Sequence, residues 1–176
     1  LLLAAGAAGH LWFLMADCPL DLAADEAHYW DWSRRLALSY YDQAPLTAWI
    51  IAGSRALLGE WSIRRVGSEM LAVRVPAILL SFLTGVGLFV LALRTLGRPR
   101  LALAVVALLC TIPVLVVGSM LMTIDAPLAC AWVWALVLIH VALERDRLAA
   151  WLVAGVVIAL GGQSVELTRG LPPHGV

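Results

Sequence analysis

Three groups of acids lie where apolar sequence gives way to polar sequence. Asp25 and Glu26 are adjacent carboxylates opening the aromatic segment DEAHYWDWSRRLAL. A carboxylate close to hydrocarbon loses hydration, which moves its proton affinity toward the range of a general base. The same pair suits a helix start, with Asp25 as the cap and Glu26 facing the positive end of the helix dipole. Both uses stay open. Tyr41 and Asp42 belong to the turn YYDQAP, where an aromatic ring and an acid would stack a sugar's apolar face and bond its hydroxyls; the same rings suit the headgroup level of a bilayer. Asp125, in SMLMTIDAPLACAW, stands at the mouth of an apolar run. An acid at the centre of a membrane helix costs roughly 2.5–3.5 kcal/mol, so it faces a cavity or a partner rather than lipid. Its plain structural use is again a helix cap, followed by Ala126 and Pro127.

Arginines supply the complementary charge. Arg34, Arg35, Arg64, Arg65 and Arg74 lie in the same part of the chain as most of the acids. Guanidinium grips phosphate well through charge-assisted bonds, and Arg34 and Arg74 are the substrate-binding candidates. Pairing with Asp31, Glu60 or Glu69 is the competing use. His28 stands three residues after Asp25 but has no HxH or HExxH partner, so no metal site is read from spacing. Cys18, Cys110 and Cys130 are too widely spaced for a CxxC site and read as small apolar residues. No Walker loop, GxGxxG or GxSxG motif occurs, which weighs against nucleotide-dependent and serine-hydrolase chemistry.

The elements that must hold these groups are helices in a membrane. Of 176 residues, 62% are hydrophobic and 14% charged, against about 45–50% and 25% in a soluble domain. The formal charge is zero, so no basic excess points to nucleic acid. Residues 75–96 form the clearest span; 101–117, interrupted by Pro113, and 126–143 follow, with 148–160 a shorter run and 1–16 an opening one. The expected fold is therefore an all-α polytopic membrane protein with about four to five transmembrane helices. The short turns RTLGRPR and ERDR carry five arginines and should share the cytoplasmic face. Residues 17–74 then form an outer loop of interfacial amphipathic helices, one over 25–38 with an Asp31–Arg35 pair and one over 45–58.

In this order, the opening apolar helix, DEAHYWDWSRRLALSYYDQAPLTAWI, SEMLAVRVPAILLSFLTG and MLMTIDAPLACAWVWAL resemble the N-terminal part of the polyprenyl-phosphate-dependent glycosyltransferases of the C-type fold. That group includes the dolichyl-phosphate-mannose–protein mannosyltransferases and aminoarabinose transferase relatives. The resemblance spans residues 1–162 and implies an inverting membrane glycosyltransferase acting on the outer face of the inner membrane. Its donor would be a polyprenyl-phosphate-linked sugar and its acceptor a lipid, glycan or protein. Asp25 matches the family's general base, with Glu26 beside it; Asp42 and Asp125 match its other acids, and outer arginines would steady the leaving phosphate. It implies no definite cofactor and leaves a divalent metal ion open. Gln43 departs from relatives that carry a basic residue or His there. Residues 163–176 form a polar tail where relatives continue with apolar helix, read as a truncated or frame-shifted end. A transporter-like or non-catalytic assembly protein is the alternative, although transporters gather polar groups at broken helices near the midplane.

Overall fold

A computed structural model describes residues 1–16, 18, 20–40 and 45–164. These form eight helices and no strand: α1 (Leu2–Met15), α2 (Ala24–Ser33), α3 (Leu46–Val66), α4 (Met70–Leu96), α5 (Pro99–Leu109), α6 (Pro113–Gly118), α7 (Asp125–Arg145) and α8 (Leu148–Gly162). Only α4 and α7 among them are long and apolar enough to cross a membrane. At 1.5 Å per residue their 27 and 21 residues reach about 40 and 31 Å. The apolar helices α1, α5 and α8 are shorter.

The expected span over 101–117 is two helices instead of one kinked helix. Pro113 has no N–H to continue the ladder of α5, and Ile112 before it is pushed to extended geometry (φ −85°, ψ 110°). Proline then starts α6 at its first position, where a missing donor costs nothing. The expected helix over 25–38 also stops early, at Ser33, so Arg35 leaves the helical register and the Asp31–Arg35 pair does not form. Conversely, the helix expected over 45–58 runs on to Val66 and ends at Gly67, whose left-handed φ of 76° closes it.

α4 is the axis around which the other elements pack. It lies parallel to α7: Trp134 Nε1 donates to Leu83 O midway, and Arg94 meets Glu144 at 2.8 Å beyond it. That ion pair joins the helix ends flanking the two arginine-rich turns, which therefore lie at one end of the bundle. The helices approach closely because Gly87 faces Val133 and Trp134; a β-carbon there would come within 2.7 Å of Val133 Cγ1. α1 runs antiparallel to α4, with Leu3 against Gly85 and Leu14 against Leu71 and Ile78. α8 returns along α7, where Gly161 faces Ala131. At the opposite end from the arginine turns, Tyr29 of α2, Ile51 of α3, Val73 and Ala77 of α4 and Met122 form a buried cluster. It seats α2 and α3 across the beginning of α4.

Candidate active site

α2 is fastened by its third residue. Ala23 is the N-cap and has no side-chain acceptor, so Glu26 reaches back to receive the Ala23 N–H at 3.0 Å. The Glu26 carboxylate is fully buried, as is the Arg74 guanidinium it faces (0% and 2% exposed). Arg74 Nη2 donates to Glu26 Oε2 at 2.8 Å, and Nε lies 3.1 and 3.3 Å from the two carboxylate oxygens. The guanidinium also donates to the carbonyls of Leu20 and Asp21, at 3.1 and 2.8 Å, and Nη1 lies 3.2 Å from Met70 Sδ and 3.9 Å from Cys18 Sγ. Glu26 Oε1 also receives the Met122 N–H at 3.0 Å. One carboxylate thus ties the start of α2, the first turns of α4 and the turn before α7. Buried charges are tolerated only when paired and hydrogen-bonded, and here both ions are.

The neighbouring acids are unencumbered. Asp25 is exposed at the second position of α2, and Asp125 is exposed as the first residue of α7. Neither is the cap of its helix, that place being taken by Ala23 and Ile124. Neither carboxylate has a hydrogen-bond or ion-pair partner among the described residues. The Met122 link places them at the same end of the bundle, Asp125 lying three residues beyond the bonded amide. Below Asp125, a groove of about 710 Å³ opens between α1, α4, α5, α6 and α7; its walls are mainly apolar, and Asp125 stands among its lining residues.

A second carboxylate anchors the other side of α2. Glu69 receives Trp30 Nε1–H at 2.6 Å and Arg55 at 2.8 and 3.1 Å, while Arg55 Nη1 reaches Ser33 Oγ at 3.2 Å. The Arg55 hydrogen bonds hold the Glu69 carboxyl below the ordinary carboxylate value of 4.5, outweighing partial burial, which pushes it up; the Trp30 bond adds to the lowering. Both Arg34 and Arg55 lie over the Trp30 ring, 5.0 and 5.6 Å from its centroid. On the Asp25 side, His28, Trp32 and Tyr40 form a ladder of rings, with centroids 4.2 and 4.4 Å apart.

Of the residues singled out in the sequence, the structure brings Glu26 and Arg74 into contact with each other and leaves Asp25 and Asp125 free at one end. Arg34 is exposed beside Trp30. Tyr41 and Asp42 lie outside the described residues. Among those described, no three His, Cys, Asp or Glu side chains converge as a metal-ligand set. Sequence reasoning offered Glu69 as the partner of an arginine but did not name Arg55 as that arginine. The available signal was an arginine in the middle of an otherwise apolar helix, a position that requires a partner.

Residues 42–168, most of the chain, match the family described as dolichyl-phosphate-mannose-protein mannosyltransferase. The chain belongs to that family. Arg74, Asp125 and Asp42 fall inside the matched stretch, whereas Asp25, Glu26 and Arg34 precede it. A mannosyltransferase-family context and two long apolar helices together make this a membrane protein. The chain is also similar to the lipid A galacturonosyltransferase RgtD of Rhizobium johnstonii, 44% identical over 43 residues. That alignment covers 24% of this chain and 9% of the relative, so the match spans about a tenth of the curated protein's length. No solved structure matches the chain.

Proposed function

We propose that the chain is the N-terminal part of an inverting membrane glycosyltransferase that uses a polyprenyl-phosphate sugar as donor. The reading rests chiefly on one observation: Asp25 and Asp125 carry free, exposed carboxylates at the same end of the bundle, Asp125 lining an apolar groove, with α2 locked in place by Glu26 and Arg74. Family membership supports a sugar-transfer reaction, and its relative acts on lipid A by name. The groove has the size and lining of a small-molecule site, apolar walls with a few placed polar groups, and suits a prenyl chain. The sugar would then emerge toward the acids on the outer face of the inner membrane, with four to five helices spanning it in the whole bundle. The acceptor would be a lipid, glycan or protein bearing a hydroxyl.

In the proposed step, Asp25 takes the proton of the acceptor hydroxyl as that oxygen bonds to the anomeric carbon. Attack comes from the face opposite the phosphate, the carbon–oxygen bond to phosphate breaks, and the polyprenyl phosphate leaves with the electron pair. Inversion follows from that geometry. Asp125, with Asp42 and Tyr41 of the sequence YYDQAP, would orient the sugar. Glu26 is assigned a positioning role instead of proton transfer, because its oxygens are occupied by Arg74, Ala23 and Met122. Arg74 is likewise committed to that pair.

The test is Asp25→Asn in the full-length protein, assayed with a polyprenyl-phosphate sugar and acceptor. Removal of a general base lowers kcat by about 10²–10⁴-fold, with donor affinity retained. Unchanged turnover removes Asp25 as the base.

A further inference from the structure

The expected phosphate grips are not in the groove. Arg74 is buried against Glu26, and Arg34 lies over Trp30; neither is among the groove's lining residues. Asp125 at its mouth would repel an anion. Among the residues that do line the groove, one side chain can carry positive charge: His10 of α1. Its position is otherwise odd, since it interrupts the apolar run LLLAAGAAGHLWFLM, and ionisable groups within such helices face a cavity or partner.

His10 is held by Ser119, just after α6. His10 Nδ1 lies 3.2 Å from Ser119 Oγ, and that same hydroxyl lies 2.7 Å from Val116 O. The serine has one proton, and the shorter contact to a carbonyl, which can only accept, takes it. Ser119 Oγ is therefore the acceptor toward the ring, and Nδ1 carries the hydrogen. This fixes the tautomer: Nε2 is left to bind something else, as a bare acceptor in the neutral ring or as a second donor in the protonated one. Ser81 Oγ, at 3.4 Å from Ser119 O, adds a hydroxyl to the same wall.

Resting on the proposed function, we propose that His10, oriented by Ser119, is the phosphate-binding residue of the donor groove. A phosphate facing the ring is the anion that favours its protonated form in this apolar groove; Nε2–H then donates to a non-bridging oxygen of the polyprenyl phosphate while the prenyl chain lies along the apolar walls. The complementarity is one cation and a few hydroxyls for one phosphodiester, with the acid kept at the mouth for the sugar.

The experiment measures binding of undecaprenyl phosphate, without sugar, to full-length protein in nanodiscs, together with turnover of the glycosylated donor. His10→Phe keeps the ring's bulk and removes both nitrogens; a lost hydrogen bond to a charged group corresponds to weakening of about tenfold or more. His10→Gln, which retains an N–H donor, recovers part of it, and Ser119→Ala, which frees the tautomer, weakens binding less than His10→Phe. KM for the donor rises with kcat much less affected, and thermal melting shows that each variant is folded. Asp25→Asn binds like the wild type while failing to turn over. Equal binding by wild type and folded His10→Phe overturns the assignment of His10 and leaves the glycosyltransferase reading intact. If the wild type binds no polyprenyl phosphate, both fail together, and if His10→Phe unfolds, the Ser119→Ala and His10→Gln affinities decide: wild-type values in both overturn the assignment.

Discussion

Replacing Arg74 by Met tests the claim that a buried ion pair, and not contact with substrate, is this arginine's use. The wild-type guanidinium makes its 2.8–3.3 Å contacts to Glu26 with both groups almost wholly out of water. Removing one partner of such a pair typically costs about 3–5 kcal/mol, because the other charge stays buried and uncompensated. The structure places this variant toward the lower end, about 3 kcal/mol, since Glu26 keeps the Ala23 and Met122 N–H groups. Glu26→Gln should cost a similar amount: Arg74 keeps the Leu20 and Asp21 carbonyls but loses its counter-charge. The decisive variant carries both changes. With neither charge left, its loss should fall short of the sum of the single losses by about 1–3 kcal/mol. Equilibrium unfolding of the full-length protein in mixed micelles measures all three. A loss below about 1 kcal/mol for Arg74→Met, or strict additivity in the double variant, would refute the reasoning.

The Glu69 node makes stability depend on acid. Its carboxyl is held below 4.5 in the folded protein, so its contribution is present above that value and is lost as pH falls through the lowered folded value. Melting curves of wild type and Glu69→Gln should therefore differ at pH 7 and draw together as pH falls below 4.5 toward the lowered folded value; a gap that does not narrow at all below 4.5 contradicts the assignment. Helix packing gives a second measurement. Gly87→Ala forces a β-carbon against Val133 and Trp134 and should destabilise by about 1–3 kcal/mol, whereas Gly155→Ala, with nothing within 4 Å, should be neutral or slightly stabilising. Equal melting temperatures for the two variants would show that α4 and α7 are not in close contact there.

Hydrophobic length made much of the architecture legible. The runs over 75–96 and 126–143 became α4 and α7, and 148–160 became α8 with its end shifted by two residues. The start of α4 was less readable: Pro76 near the first residue of the expected span resembles a helix opening, yet the helix begins at Met70. Those added turns carry Arg74, and its pairing with Glu26 makes it profitable for the polar stretch to remain helical. The early end of α2 at Ser33 was not legible either. Ser33 Oγ donates to Trp30 O, and Arg55 comes from another helix to meet the same hydroxyl.

The candidate site divides in the same way. Residue types and their places beside apolar runs were enough to select Asp25, Glu26, Arg74 and Asp125, because an ionisable group next to hydrocarbon always demands a partner or a task. Which of the two each received was decided by tertiary structure. Adjacent residues on a helix point about 100° apart, so Glu26 turns into the bundle toward an arginine 48 positions away and Asp25 turns out. Linear spacing carries no record of that rotation relative to α4, nor of the bend that brings the Met122 amide onto the same carboxylate.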